Sequence, residues 1–165
     1  MNPLQDRLAL SYGELEELNL NAKEQRQRQN RVPIHKIQEE RLKYLTDEKR
    51  LKAVTVLFSD LEGRLHMLDY DKKFLVKSWD NLTFDGSSIR GFTAQNESDL
   101  RLGMDWSAFY WAPSDIFGVG KVMVFGEVID KDGTLYKGDM RAVLKAFAQD
   151  VHQEWRIHAK RGERN

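Results

Sequence analysis

The chain has 165 residues, enough for one domain and an additional arm, and 41% of them are hydrophobic, so it can bury a core. Its 26 basic and 26 acidic residues cancel, which excludes a global attraction to nucleic acid or to an anionic membrane. The absence of cysteine excludes disulfides and thiolate chemistry. Because the sequence has neither a signal peptide nor a long apolar run, we expect a soluble, cytoplasmic protein.

The first 31 residues are predicted to form an extension or arm. Residues 1–20 carry apolar side chains at helical spacing, which predicts one amphipathic helix; they are Leu4, Leu8, Tyr12, Leu15 and Leu18. Residues 21–31 carry four cationic side chains and no aromatic one. This composition favours a solvated linker or helix surface over the alternative, a nucleic-acid tether.

A second helix is predicted from Pro33 to about Arg50, and a hairpin follows it. Proline suits the first turn of a helix because its missing N–H would be unpaired there. Four residues form the predicted buried stripe of this helix: Ile34, Ile37, Leu42 and Leu45. The β-branched and aromatic run 53–58 predicts a strand, and a turn around Gly63 leads to a second strand over 64–71.

The middle of the chain predicts several short elements. Residues 72–84 predict a short helix and then a strand that enters Phe84. After a loop, residues 100–105 and 107–113 predict two short strands, the second ended by Pro113. The aromatic cluster from Trp106 to Trp111 is typical of a core or of a subunit interface. Residues 114–120 predict a loop.

The clearest strand covers residues 121–130, and a turn at Asp132 and Gly133 follows it. Asp139 is the predicted N-cap of a last helix that ends at about Trp155. Five residues are predicted to pack this helix on the sheet: Val143, Leu144, Phe147, Val151 and Trp155. Truncating Leu144 or Phe147 to Ala should then cost about 2–5 kcal/mol. The charged tail after the helix is predicted to be unstructured.

These elements predict an α+β fold. We expect a β-grasp-like mixed sheet of about five strands, with the long C-terminal helix packed on it and an N-terminal helical extension. The predicted organisation is an arm over 1–31, a β-grasp domain over 32–157 and a charged tail over 158–165.

The most informative segment is the loop from Phe84 to Asp99, FDGSSIRGFTAQNESD. Glycine, serine and acidic residues of this kind build loops that carry function on a rigid scaffold. The strings FDGSSIRGF and NESD, in this order and spacing, resemble the signature loop of the amino-terminal domain of glutamine synthetases. The resemblance extends from about Ile34 to Trp155. It implies the β-grasp fold of that domain.

The resemblance also implies roles for four residues. Asp85 matches the family's ammonium-binding aspartate and is the expected catalytic residue. Ser88 and Asp99 match positions of the same ammonium pocket, and Phe92 falls where some members carry an aromatic residue near the nucleotide. We expect no metal site in this chain, because metal sites need three or more converging ligands and the four histidines show no such spacing.

For a full-length parent, the resemblance implies a ligase that uses ATP and Mg²⁺ or Mn²⁺ to join ammonia to L-glutamate. It further implies a homo-oligomeric ring in which each active site is shared with a neighbouring subunit. The catalytic barrel of the family is absent from this sequence, so the chain alone is expected to be inactive and to hold no cofactor. Two alternatives remain: a stand-alone β-grasp interaction or regulatory module, and a domain of a related ligase that uses another amine.

Overall fold

A computed structural model describes residues 8–18, 20, 32–89, 92 and 99–162, with side chains described as far as residue 155. Residues 12–18 are helical. The named elements, in chain order, are α1 (Ile34–Asp47), β1 (Ala53–Ser59), β2 (Leu65–Asp71), α2 (Lys72–Ser78), β3 (Leu82–Asp85), a 3₁₀ turn (Gly86–Ser88), β4 (Asp99–Trp111), α3 (Ser114–Phe117), β5 (Val122–Ile129) and α4 (Met140–Gly162). The α+β class is confirmed.

The five strands form one mixed sheet in the order β2-β1-β5-β4-β3. At its centre β1 pairs with β5 in parallel, with Thr55 opposite Met123 and Leu57 opposite Phe125. Five consecutive residues of β1 are buried, which is the pattern of a central strand covered on both faces. Strand β5 instead alternates buried and half-buried residues along its length. The predicted β-grasp-like sheet of about five strands is therefore confirmed.

The chain forms two compact units, and each is described by itself. The first contains the described residues up to Leu57, together with Met67–Leu82 and Gly103–Gly126. The second contains Phe58–His66, the described residues of Thr83–Leu102, and the chain from Glu127. The predicted boundaries of the arm, the domain and the tail stay predictions.

In the first unit, the aromatic cluster of β4 belongs to the core. Trp106 and Phe109 are 3% and 5% exposed, whereas Tyr110 points largely to solvent. The indole N–H of Trp111 donates to the Tyr44 hydroxyl at 2.9 Å, which ties α1 to this strand. Of the stripe predicted for α1, Leu45 is buried, Ile37 and Leu42 are half-buried, and Ile34 is exposed. The prediction of a fully buried stripe was wrong at its N-terminal end.

The N-terminal residues of this unit are attached to it. The N–H of Ser114 donates to the carbonyl of Leu10 at 2.8 Å, and Leu8, Leu10 and Leu15 are buried. The helix begins at residue 12, so the buried Leu8 precedes the helix and is not part of its stripe. Tyr12, at the start of the helix, is exposed. Leu4 and the basic run 21–31 lie outside the described residues. A single helix over residues 1–20 was therefore not the right prediction for residues 8–11.

Two further predictions around β4 need correction. The two short strands are one strand of 13 residues, because Gly103 and Met104 continue it. The segment after Pro113 is the short helix α3 and not only a loop. The predicted helix and strand over 72–84 are confirmed as α2 and β3.

In the second unit, a buried aspartate closes the β1–β2 hairpin. Asp60 is 3% exposed and accepts hydrogen bonds from the N–H groups of Glu62 and Arg64, at 2.8 and 2.9 Å. Its other oxygen lies 2.8 Å from Nε2 of His66, and this contact is the main reason that the pKa of Asp60 is lowered. Gly63 has a φ of 77°, a conformation that favours glycine. The predicted turn is confirmed.

The last helix, α4, departs most from the prediction. Asp139 is its N-cap as predicted, and Ala142 in its first turn is buried. The five residues predicted to pack on the sheet are exposed, however: Val143 51%, Leu144 67%, Phe147 65%, Val151 47% and Trp155 74%. The less exposed residues of this helix are instead Ala142 and, half-buried beside Glu127, Arg141 and Lys145. The helix also continues to Gly162, so the tail is not unstructured from residue 158.

Candidate functional site

The candidate site begins where β3 ends, at Asp85. Its carboxylate accepts a hydrogen bond from the N–H of Ser87 at 3.0 Å, and this contact caps the 3₁₀ turn Gly86–Ser88. The N–H of Ile89 donates to the carbonyl of Gly86 at 3.1 Å and closes the turn. Aspartate suits this position because its short side chain reaches the backbone two residues later. The sequence therefore presents a carboxylate at the end of a strand.

Two serine hydroxyls complete the surroundings of Asp85. Ser87 Oγ donates to Oδ1 at 2.6 Å, and Ser88 Oγ donates to Oδ2 at 2.6 Å. The bonds from Ser87 and then Ser88 lower the pKa of the Asp85 carboxyl below its ordinary value of 3.8. Hydrogen bonds to the charged form have this effect because protonation would remove them. Asp85 is therefore an exposed carboxylate that stays ionised at neutral pH.

The carboxylate of Asp85 keeps room for a further donor. Two carboxylate oxygens offer about four acceptor positions. Oδ1 uses two of them for Ser87, and among the described residues Oδ2 accepts the Ser88 hydroxyl, while a weaker contact with the backbone N–H of Ser88 also lowers the pKa of the carboxyl. A small cation with several N–H donors could therefore bind at Oδ2 without breaking the turn. The structure thus brings together Asp85 and Ser88, two of the predicted site residues.

Phe92 lies a few residues further along the loop and is fixed in place. It is 7% exposed, and its ring meets the ring of Tyr136 edge to face, with 5.2 Å between the centroids. The Tyr136 hydroxyl also donates to the carbonyl of Phe92. Burial and then the charge of Asp130 raise the pKa of Tyr136, so this phenol remains a donor at neutral pH. Phe92 is therefore anchored to the segment between β5 and α4.

Asp99 is the first residue of β4 and is exposed. Strand β4 is the neighbour of β3, so Asp85 and Asp99 flank the connection between two adjacent strands. Within the described residues, no hydrogen bond joins Asp99 to Asp85 or Ser88. Residues 90–91 and 93–98, which include Glu97 and most of NESD, lie outside the described part of the chain.

Three residues near this loop were not found by sequence reasoning. Tyr136 is 44 residues from Phe92, and no local pattern connects the two. Arg101 donates to the carbonyl of Asp130 at 3.4 Å, again across a long interval of sequence. Asp132 repeats the arrangement of Asp85, because it accepts from the N–H and the hydroxyl of Thr134 and has a lowered pKa. Its turn was predicted, whereas its likeness to Asp85 was not.

The described residues offer neither a group of metal ligands nor a helix that could span a membrane. No three His, Asp or Glu side chains there lie together as ligands of one ion. The described residues therefore do not fit a metal ion, and the proton transfer proposed for Asp85 involves no metal ion held by this chain. No helix in the described residues is both long enough and apolar enough to cross a bilayer.

Comparison with solved structures defines the class of the fold. The chain is similar to a Plasmodium falciparum glutamine synthetase with a TM-score of 0.62 and 22% identity, over 70% of this chain and 22% of that one. It is also similar to a structure described as the GmaS/ADP complex, with a TM-score of 0.57 and 17% identity, over 68% and 26% of the two chains. At such identities the likeness concerns the fold alone. Together with the sheet order, it defines an α+β domain of the β-grasp type.

Sequence comparison then gives the family. Residues 50–131 match the family described as the β-grasp domain of glutamine synthetase. The glutamine synthetase of Thermotoga maritima is 30% identical over 115 residues, which are 69% of this chain and 26% of that protein. The enzyme of Staphylococcus aureus strain Mu50 is 32% identical over 125 residues, 73% and 27% of the two. The chain therefore belongs to the glutamine synthetase family through its β-grasp domain. It spans about a quarter of the length of these curated relatives.

Proposed function

We propose that this chain is the amino-terminal domain of a glutamine synthetase and forms part of the ammonium-binding side of the active site. The observation that carries the proposal is the exposed, ionised carboxylate of Asp85, fixed by Ser87 and Ser88, with an acceptor position at Oδ2 that no described side chain fills. The family match over 50–131 includes this turn and supports the assignment.

Asp85 has two tasks in this proposal. Its negative charge holds ammonium through charge-assisted hydrogen bonds. Ammonium has no lone pair, so it must lose a proton before its nitrogen can attack the acyl phosphate of glutamate and displace phosphate. The same carboxylate accepts that proton. The lowered pKa of Asp85 strengthens the first task and weakens the second, since a weaker base takes a proton less readily.

The other site residues support Asp85. Ser88 fixes the position of Oδ2 through its hydroxyl. Asp99 supplies a second negative charge at the start of the neighbouring strand. Phe92 is assigned to the side of the loop near the nucleotide. Because its ring is packed on Tyr136, its task is to hold the loop there and not to stack on the base.

The remaining partners of the active site belong to the parent protein. They are ATP, L-glutamate, ammonia and Mg²⁺ or Mn²⁺, which would bind on a catalytic domain. A neighbouring subunit of a homo-oligomeric ring would complete each site. The setting is the cytoplasm. The 165-residue chain by itself is expected to show no ligase activity.

A domain exchange tests the proposal. Residues 32–157 would replace the β-grasp domain of the Thermotoga maritima enzyme, which is 30% identical over the matched region. The Asp85→Asn variant of this chimera should fold and assemble, because Asn can still accept from Ser87. Its ammonia-dependent synthesis should fall by roughly 10²–10⁴. Activity should partly recover as the pH rises and free ammonia becomes available.

The matched control is Asp132→Asn, because Asp132 is also exposed, bonded within a turn and lowered in pKa. This control should retain the activity of the chimera. Equal activity of the Asp85 variant and the control, with unchanged ammonium affinity, would reduce Asp85 to a turn residue. That result would favour the interaction module instead.

A further inference from the structure

A surface cavity in the first unit has the chemistry of an anion-binding site. It has a volume of about 490 Å³ and lies where the end of α1, the connection to β1 and the start of α2 meet. Its lining residues are Leu45, Thr46, Lys49, Leu51, Lys52, Asp71, Lys72, Lys73, Val76 and Lys77. A volume between about 300 and 1,000 Å³ is typical of sites for small ligands.

The apolar part of the lining is rigid. Leu45 and Leu51 are 0% and 1% exposed, so both belong to the core. The N–H of Lys72 donates to the carbonyl of Lys52 at 2.8 Å and joins the two segments that carry most of the lysines. The ammonium group of Lys72 donates to the carbonyl of Glu48 at 2.6 Å. The cavity therefore does not depend on a mobile loop for its shape.

The charge of the lining is strongly one-sided. Five of its ten residues are lysines, and Asp71 is the one acid. Asp71 already accepts from the N–H of Phe74 as the N-cap of α2. Within the described part of the chain, Lys49, Lys52, Lys73 and Lys77 take part in no ion pair. In a chain of zero net charge this is a local excess, and a cavity lined by one sign of charge concentrates ions of the other sign.

We propose that this cavity binds a small phosphorylated molecule with an apolar or aromatic body, of the nucleoside polyphosphate class. Several phosphate charges match the four lysines without an ion pair, since lysine binds phosphate as a point charge. Val76, which is half-buried, and the methylene stems of the lysines offer an apolar surface to the body of the ligand. The sequence offers no phosphate-binding loop, so an anion site here arises only from the folding of α1 against α2. This inference does not rest on the proposed ammonium function, and it revises the expectation from the sequence that the chain alone holds no cofactor.

The test measures binding of ATP, tripolyphosphate and adenosine to the 165-residue chain by calorimetry at low and high salt. We expect ATP to bind with one site per chain, and tripolyphosphate and adenosine to bind less tightly. Lys52→Gln with Lys73→Gln should weaken ATP binding by roughly tenfold or more, because each lysine supplies a charged hydrogen bond. The control pair Lys36→Gln with Lys121→Gln has the same change in charge outside the cavity and should bind ATP as the unmodified chain does.

A second variant separates the cavity from a diffuse basic surface. Thr46→Trp keeps all five lysines and fills part of the cavity, at a position that is exposed. Loss of ATP binding in this variant would support the cavity as the site. Unchanged ATP binding in Thr46→Trp, equal weakening by the control pair, or no ATP binding at low salt would each overturn the proposal. Tripolyphosphate that binds as tightly as ATP would overturn the assigned apolar contact.

Discussion

Two aspartates, Asp85 and Asp139, each cap a helical turn, and their surroundings differ sharply. Asp139 is 0% exposed and accepts from the N–H groups of Val128, Arg141 and Ala142, at 2.8, 2.9 and 3.2 Å. Asp85 is exposed and accepts one N–H and two serine hydroxyls. One residue type in one local role thus has two different environments, and the identity of its donors distinguishes them.

The difference lies in what would be lost without each carboxylate. The donors to Asp139 are backbone N–H groups. Without the carboxylate, the N–H groups of Val128 and Ala142 would be buried without a partner. Ser87 is half-buried and Ser88 is exposed, so their hydroxyls could donate to water instead. Asp139 is thus required by the fold, whereas Asp85 is held more firmly than its turn needs. A carboxylate fixed in this way suits ligand binding.

The largest effect is expected for Asp139→Ala. This change removes the N-cap of α4, worth about 0.5–2 kcal/mol, and leaves the buried N–H of Val128 unpaired, at about 1–3 kcal/mol. The free energy of unfolding measured in urea should therefore fall by about 1.5–5 kcal/mol. Asp132→Ala, which removes an exposed turn aspartate, is the control and should cost less. Equal losses in the two variants would show that burial does not distinguish these turns.

A smaller effect is expected for Asp85→Asn in the isolated chain, and it should depend on pH. The folded-state pKa of Asp85 is lowered, so its carboxylate stabilises the fold above the ordinary pKa of 3.8, and this contribution is lost as the pH falls through the lower folded value. The stability difference between the unmodified chain and the variant should therefore be largest near neutral pH and shrink below about pH 3.8. Urea unfolding at several pH values measures it. A difference that grows on acidification would contradict the assigned hydrogen bonds.

The smallest effect is expected for Leu144→Ala, which tests how far along α4 the anchoring by Asp139 extends. Leu144 is 67% exposed, so its truncation should change the free energy of unfolding by less than about 0.5 kcal/mol. The matched control is Leu102→Ala in β4, where the side chain is 1% exposed and the loss should be about 2–5 kcal/mol. A loss of the same size at Leu144 would mean that this face of the helix is covered in solution.

The sheet could be predicted because its signals are local. The run 53–58 is apolar except for Thr55 and rich in β-branched residues, as a central strand requires, and Gly63 and Asp132–Gly133 mark turns by their residue types alone. The face of α4 could not be predicted in this way. Helical periodicity shows that Val143, Leu144 and Phe147 share one face, but it does not show whether this chain covers that face.

The candidate site was predictable to a similar extent. Asp85 and Ser88 lie three residues apart in a recognisable turn, so the resemblance identified both, and the structure brings them together. The lowered pKa of Asp85, and the acceptor position at Oδ2 that no described side chain fills, depend on hydroxyl directions that the sequence does not specify. The anchoring of Phe92 by Tyr136 joins residues far apart in the chain, and so does the lysine cavity between α1 and α2. Such pairings arise only after folding.

The parallel pairing of β1 with β5 also has a consequence for how the chain folds. Thr55 lies opposite Met123, 68 positions later, so the central pairing closes a long loop before it gains any stability. A ribosome adds that many residues in roughly 3–14 s. During this time β1, with five consecutive residues that are buried in the fold, has only its hairpin partner β2 available. We therefore expect slow folding, and aggregation during synthesis that a chaperone holding β1 would reduce.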